Sequence, residues 1–176
     1  MAEFTKLDRA YGKGYDLKVE GAQLIFKNFS GREDPWGNCD KTVNLVVDDE
    51  EIYHFLAADG WNFKTRKDPD GGFYEPFSEH DDQIEYPRTT LKIAYRDRNG
   101  NEKERKPQVY LVTDRNPKGT LLDEETINEL DYAYIINADL VISPYYHGDN
   151  TKGYINLMYA TIEDNPFADK YGDDIE

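Results

Sequence analysis

The chain has 176 residues, a formal net charge of −15 and a single cysteine, Cys39. This length suits one domain with its own hydrophobic core. No apolar run approaches the roughly 18 residues of a membrane-spanning helix, the N-terminus lacks a signal-peptide pattern, and a lone cysteine suits a reducing compartment. These features argue against a disulfide scaffold and predict a cytoplasmic protein that does not contact membranes.

In the first half of the chain, alternating β-branched and aromatic residues predict strands. The segments with this pattern are 19–29, 42–47 and, as extended chain, 61–66. Asp48 and Asp49 supply N-cap chemistry for a short helix that Gly60 ends. Residues 67–87 are rich in Pro, Gly and acids, and we expect them to form a long acidic loop inserted into the domain.

In the second half, Asn99-Gly100 stands between two alternating runs, a strong indication of a β-hairpin. Residues 121–130 predict a helix with Asp123 as its cap. Two more strands are expected at 134–146 and 153–163, joined by a polar turn.

Strands in a meander, with a helix before the last pair, predict a mainly β protein. We expect an OB-fold-like antiparallel barrel with one or two short helices, formed by a single domain over residues 1–163. The segment EDNPFADKYGDDIE, residues 163–176, holds six acids and one lysine. Residues 164–176 are therefore predicted to be a disordered acidic C-terminal tail, which serves either solubility alone or a function.

Charge is distributed unevenly along the chain. Residues 1–87 carry 10 Lys and Arg against 19 Asp and Glu, residues 88–118 carry 9 against 4, and residues 119–176 carry 2 against 13. Nucleic-acid binding requires local positive potential rather than a positive total. The basic middle segment therefore allows a nucleic-acid ligand in spite of the net charge.

The strand that opens this basic segment predicts a row of cations. If Leu91 and Ile93 face the core, Arg88, Lys92 and Arg96 lie on the opposite face, about 13 Å apart. Tyr110 is expected to project outward on the neighbouring run. Such a row could follow a phosphate chain, although charges on a solvated strand face can also guard a sheet edge.

Aromatic and cationic residues also alternate in two earlier segments, FKNFSG at 26–31 and WNFKTRK at 61–67. Proteins that hold single-stranded nucleic acid combine a positive groove with aromatic stacking platforms, although most aromatic side chains of this chain must belong to the core. In 61–67 the aromatic and cationic side chains point to opposite faces, so only one set can meet a ligand unless the strand bends. The candidates from these segments and the loop after the first are Lys27, Phe29, Arg32, Trp36, Trp61, Phe63, Lys64 and Arg66.

Catalytic and metal-binding patterns are weak. The three histidines are dispersed, and the consecutive residues His80, Asp81 and Asp82 are poorly placed to converge on one ion. We find no phosphate-binding glycine loop, nucleophile elbow or Cys/His pairing. We therefore expect no enzymatic activity, no cofactor and no metal.

Four segments together resemble a group of bacteriophage single-stranded DNA-binding, helix-destabilising proteins with an OB-type core. They are EGAQLIFKNFSGRE, DDEEIYHFLAADGWNFK, LLDEETINELDYAYIINADLVISPYY and KGYINLMYATIEDNPFADKYGDD. The resemblance spans about residues 17–173 and implies single-stranded DNA binding during phage DNA replication and recombination, in the host cytoplasm. The acidic segment 67–87 departs from the expected pattern.

In proteins of this group an acidic C-terminal tail competes with DNA for the basic groove and docks replication and recombination proteins. The resemblance therefore implies a partner-binding role for Phe167, Asp173, Asp174 and Ile175. Two other readings stay open, an acidic DNA mimic that inhibits a host nucleic-acid enzyme and a structural virion component. The sequence also leaves the oligomeric state, monomer or dimer, undetermined.

Overall fold

The computed structural model describes residues 2–9, 14–33, 35–37 and 39–163. Within them the strands are β1 (Glu3–Asp8), β2 (Tyr15–Glu20), β3 (Leu24–Asn28), β4 (Lys41–Val46), β5 (Glu79–His80), β6 (Gln83–Ile84), β7 (Arg88–Ile93), β8 (Gln108–Val112), β9 (Thr120–Leu122), β10 (Ile135–His147) and β11 (Asn150–Ile162). The helices are α1 (Glu50–Ala58) and a 3-10 helix, η1 (Thr126–Asp131). The prediction of a mainly β protein with short helices is confirmed.

One sheet carries the fold, in the order β1-β2-β10-β11-β7-β4-β3, with β8 beside β11 and β9 beside β8. β7 and β8 both run parallel to β11, whereas the other neighbours in this sheet are antiparallel. Among the described residues, β1, β3 and β9 each have only one neighbouring strand, so the pairings do not close the sheet. In place of the expected OB-fold-like antiparallel barrel, the described residues form an open, mixed sheet.

The predicted hairpin around Asn99-Gly100 forms, but the two runs beside it do not pair with each other. β7 pairs with β11 at Gly153 and Tyr154, and β8 pairs with the same strand further along, from Leu157 to Thr161. The two strands thus follow one another along one side of the 13-residue β11. Residues 94–107 leave the sheet between them as a short turn, which we call the 94–107 hairpin. An isolated antiparallel β-bridge between the backbones of Arg96 and Glu102 joins its two arms.

The strand predicted at 19–29 is two strands. Gly21 has φ +67°, a left-handed conformation that favours glycine, and turns the chain between β2 and β3. Its amide donates to Asp139 Oδ1 at 2.9 Å. β2 then pairs with β1 and β10, while β3 pairs with β4. The sequence pattern did not reveal β1.

The first predicted helix is present, whereas residues 121–130, predicted as one helix, divide into the end of strand β9 and the start of the 3-10 helix η1. Asp49 caps α1 by accepting a hydrogen bond from the Ile52 amide at 3.1 Å. Asp123 Oδ1 accepts from the Thr126 amide at 2.8 Å in the turn before η1, whose N-cap is Glu125 rather than the predicted Asp123. The apolar residues Ile127 and Leu130 of η1 are fully buried, so this short helix closes the core beside the sheet.

The acidic segment 67–87 is more ordered than the predicted long loop. It contains the short β5–β6 pair, and Phe77 packs against Tyr53 of α1 with ring centroids 5.5 Å apart. The buried Glu85 carboxylate accepts from the Arg66 amide at 2.9 Å and from Arg66 Nε at 2.7 Å. These contacts fold the segment back onto the domain, because a buried carboxylate needs such partners.

The hydrophobic core lies on one face of the sheet and beneath both helices. Its fully buried members include Leu17, Phe29, Leu45, Leu56, Leu91, Ile127, Leu140 and Met158. In the described part of the chain, no helix is long and apolar enough to span a membrane. On the opposite face, which we call the outer face, side chains that alternate with the buried ones are partly or fully exposed.

Candidate nucleic-acid interface

Strand β7 displays cations on the outer face. Thr89, Leu91 and Ile93 are buried, while Arg88 and Lys92 alternate with them and remain partly exposed. The alternation predicted for this strand is therefore observed. Tyr154 of β11 lies directly opposite Lys92 in the ladder, so its side chain shares the outer face.

A groove of about 930 Å³ lies between the 94–107 hairpin and the outer face. Among the lining residues that the structure describes, the cations are Arg9, Arg96, Arg98, Lys103 and Arg105, and the acids are Asp8, Asp16 and Asp97. We call this the basic groove. Its lining carries an excess of positive charge, opposite in sign to the −15 of the whole chain.

Two tyrosines form an aromatic wall of the basic groove. Tyr145 is 49% exposed and meets Tyr154 edge-on, with ring centroids 5.9 Å apart. Lys103 Nζ lies 5.8 Å from the Tyr154 ring centroid. A base stacked on the Tyr154 ring would therefore lie close to the Lys103 ammonium.

More positive charge gathers where the groove meets β7. The neighbouring Lys92 ammonium, together with partial burial, lowers the pKa of Lys152, and Arg98 adds to this effect. Asp40 compensates in part through an ion pair with Lys92 at 3.1 Å. Like charges held this close favour a bound anion, which would relieve their repulsion.

A second aromatic and cationic pair lies at the other end of β7. Arg88 stacks over Phe26 with its guanidinium carbon 5.0 Å from the ring centroid. Phe26 is 65% exposed and has φ +53°, at a register shift between Ile25 and Asn28. Such a conformation is strained for a non-glycine residue. Here the strained, irregular β3 displays an aromatic ring instead of burying it.

Three aromatic candidates from the sequence do not reach this surface. Phe29 is fully buried, and Trp61 is buried with its indole N–H donating to Tyr15 Oη at 3.0 Å. Phe63 packs edge-on against Tyr53 at 4.9 Å between ring centroids. The predicted stacking role of these three rings is corrected to a role in the core and its margin.

One candidate of the FKNFSG segment, Lys27, and the next candidate along the chain, Arg32, make local hydrogen bonds. Lys27 donates to the carbonyl of Leu130 at 2.7 Å and to that of Ala133, and partial burial lowers the pKa of its ammonium. Arg32 is exposed, with its Nε donating to Asn28 Oδ1 at 3.3 Å. Lys27 therefore anchors the end of η1 to β3, while the Arg32 guanidinium stays accessible on the turn.

Two further predicted cations are held in ion pairs. Arg66 contacts Glu85 at 2.7 Å and lies over the Tyr74 ring. Arg96 contacts Glu124 at 3.0 Å. These guanidiniums hold the 67–87 segment and the 94–107 hairpin in place, so their charge is partly neutralised for an incoming phosphate.

The last three candidates occupy separate places. Trp36 is exposed in the loop after β3. Lys64 is exposed and its backbone bridges to Arg88. Tyr110 stacks on Tyr159 of β11 with ring centroids 4.9 Å apart and planes 11° from parallel, so its ring already has an aromatic partner.

The residues that sequence reasoning missed are Phe26, Arg98, Lys103, Arg105, Tyr145 and Tyr154. The charge excess of segment 88–118 contained the signal for the three cations. No sequence pattern indicated Tyr145 and Tyr154, because their place beside the 94–107 hairpin depends on the parallel pairing of β7 with β11.

Comparison with known proteins gives one family and several structures. The family model described as "Putative phage ssDNA-binding domain" matches residues 8–176. No curated protein matches the chain. Among solved structures, the chain is similar to the single-stranded DNA-binding protein from bacteriophage Enc34 in its C-terminal truncation, with 11% identity, a TM-score of 0.44, and 92% of this chain and 96% of that chain covered.

Two further structures are similar at the same low level. The Enc34 protein in complex with ssDNA has 13% identity and a TM-score of 0.44, with 92% of this chain and 98% of that chain covered. The gp2.5 single-stranded DNA-binding protein of bacteriophage T7 has 10% identity and a TM-score of 0.36, with 100% and 96% covered. The family model matches residues 8–176, nearly the whole chain. The chain therefore belongs to the phage ssDNA-binding domain family.

Proposed function

We propose that this protein binds single-stranded DNA along the outer face of β7 and β11, from the Phe26–Arg88 pair to the basic groove. The observation that carries the proposal is the basic groove itself, where Arg98, Lys103 and Tyr154 converge on the outer face. Membership of the phage ssDNA-binding domain family supports the choice of ligand.

Local charge decides whether a phosphate chain can bind. At physiological ionic strength the Debye length is about 8 Å, so acids on distant parts of the surface are largely screened. The cations of the basic groove lie within one site and act on a ligand together. Phosphate neutralisation by such a site releases counterions, so affinity should fall steeply with salt.

Stacking supplies the second part of the affinity. The Tyr154 ring lies near Lys103, the Phe26 ring lies near Arg88, and the Tyr145 ring meets that of Tyr154. Each stacked base contributes about 1 to 3 kcal/mol. Neither phosphate contacts nor stacking reads the edges of bases. The protein therefore binds without strong sequence preference.

The biological role that fits this activity is coverage of unwound strands during phage DNA replication and recombination, in the cytoplasm of the infected cell. In this proposal the acidic tail, residues 164–176, competes with DNA for the basic groove and recruits replication or recombination proteins. Its partner-binding residues are Phe167, Asp173, Asp174 and Ile175. The tail lies outside the described residues, and its sequence is what supports this part of the proposal.

Charge reversal in the groove tests the binding site. The double variant Arg98→Glu with Lys103→Glu should bind fluorescein-labelled oligo(dT) at least about tenfold more weakly than the unchanged protein, by fluorescence anisotropy at low salt. The control, Lys67→Glu with Lys118→Glu, makes the same change in net charge at exposed positions outside the groove lining. Equal losses in the two double variants would contradict the site.

Removal of residues 164–176 tests the tail and separates the alternatives. The truncated protein should bind oligo(dT) more tightly than the full chain does. It should bind duplex DNA only weakly. If neither form binds oligo(dT), a DNA mimic becomes the better account. Large assemblies that form without DNA would favour a virion component instead.

A further inference from the structure

A second groove lies on the opposite flank of the 94–107 hairpin, against β9 and the segment that leads into η1. Its volume is about 1020 Å³. Among the described residues that line it, the acids are Glu102, Glu104, Asp123, Glu124 and Glu125, and the cations are Arg96, Arg105 and Lys106. We call it the acidic groove.

The ion pairs of this groove leave part of its negative charge unmatched. Arg96 contacts Glu124 at 3.0 Å, and Lys106 contacts Glu102 at 3.1 Å. Across the part of the chain that the structure describes, no ion pair includes Glu104 or Glu125. The groove therefore has carboxylates available to a cation from outside.

A buried hydroxyl in the same lining provides an independent observation. Tyr95 is only 5% exposed, lines the acidic groove, and its buried Oη has no hydrogen-bond partner among the described residues. Burial, and then the carboxylates of Asp123 and Glu124, raise the pKa of the Tyr95 phenol to about 12. A buried polar group without a partner is unfavourable, so a ligand that supplied one would gain from it.

The chemistry of the lining selects among cations. Within residues 2–9, 14–33, 35–37 and 39–163, no group of three or more His, Cys, Asp or Glu residues is arranged to hold a metal ion. Carboxylates and a phenolic oxygen together suit a ligand with several N–H donors. A guanidinium carries five such donors in a planar fork and stays charged at any physiological pH.

We propose that the acidic groove binds an arginine side chain of a partner protein, with the Tyr95 hydroxyl and the carboxylates of Glu104 and Glu125 as acceptors. This inference goes beyond single-stranded DNA binding and does not depend on it, because the acidic groove lies across the hairpin from the proposed DNA site. It gives the protein a docking site on its folded domain, in addition to the proposed role of the tail.

The test uses a fluorescein-labelled hexa-arginine peptide and the full chain at low salt, with binding followed by anisotropy. Tyr95→Phe should weaken binding roughly threefold to tenfold, as expected for one lost hydrogen bond. The same variant should unfold at the same or a higher temperature, because it removes a hydroxyl that has no partner in the free protein. A merely structural role for the hydroxyl would instead lower the unfolding temperature and leave peptide affinity unchanged.

Matched charge variants check that the peptide sits in the groove. Glu104→Gln with Glu125→Gln should also lose roughly threefold to tenfold in affinity. Glu75→Gln with Glu79→Gln removes the same charge from exposed positions in the 67–87 segment and should change affinity less than twofold. Similar losses in both double variants, or equal binding of hexa-arginine and hexa-lysine, would overturn the proposal.

Discussion

The two grooves beside the 94–107 hairpin have opposite charge although they share Arg96, Arg105 and Asn156 in their linings. Alternation along the returning arm explains the difference, since Lys103 lines the basic groove while Glu102, Glu104 and Lys106 line the acidic one. The 94–107 hairpin thus separates two electrostatic environments. A net charge of −15 therefore says little about the ligand of any one surface.

The largest effect should come from removing the aromatic wall of the basic groove. Tyr145→Ala with Tyr154→Ala should lower oligo(dT) affinity by about 2 to 6 kcal/mol if each ring stacks one base. Isothermal titration calorimetry measures the change, with thermal unfolding as a check on stability. Tyr132→Ala with Tyr134→Ala removes two exposed rings outside the groove, and a comparable loss in that control would contradict the stacking site.

The Phe26–Arg88 pair offers a smaller but closely matched test. Phe26→Ala should weaken oligo(dT) binding by about 1 to 3 kcal/mol, the contribution of one stacked base. Phe73 is 63% exposed, nearly the same as the 65% of Phe26, so Phe73→Ala is the control and should leave affinity unchanged. If both variants bind as the unchanged protein does, the DNA does not extend along β7 to this pair.

Two lysines on the same hairpin arm compare the grooves directly. Lys103→Ala should reduce the slope of log affinity against log salt by about 0.7, the value for one phosphate contact on a single strand. Lys106 lies on the acidic side, paired with Glu102, and Lys106→Ala should leave the slope unchanged. If the two variants show the same slope of log affinity against log salt, the cations on the two sides of the hairpin do not differ in DNA binding.

The smallest effect concerns stability at high pH. The pKa of Tyr95 is raised to about 12 in the folded protein, so the folded chain keeps a proton that the unfolded chain loses above its ordinary value of about 10. The resulting contribution to the free energy of unfolding is present below that value and is lost as the pH rises towards 12. Between about pH 10 and 12, the free energy of unfolding should therefore fall less steeply with pH in Tyr95→Phe than in the unchanged protein, as measured by urea unfolding. The same dependence on pH in both proteins would contradict the assignment.

Much of the local structure follows from the sequence. Alternation in 89–93 predicted which side chains of β7 are buried, and cap chemistry at Asp49 predicted the start of α1. These features depend on neighbours in the chain, which the sequence shows directly. The two long strands β10 and β11 were predicted for the same reason.

The site was harder to predict because it depends on contacts between distant segments. Phe26 and Phe29 look equivalent in FKNFSG, yet the irregular geometry of β3 displays the first ring and buries the second. Trp61 is buried because its indole meets Tyr15 from β2. Tyr154 joins the basic groove only because β7 runs parallel to β11, a pairing that the Asn99-Gly100 turn gave no reason to expect.

Photo-cross-linking tests the DNA site most directly. An oligo(dT) strand that carries 5-iodouracil would be irradiated with the full chain, and the attached peptides identified by mass spectrometry. The proposed site predicts adducts on Tyr145 and Tyr154 of the basic groove. Adducts confined to the opposite side of the hairpin, at Tyr95 or Leu121, would contradict it.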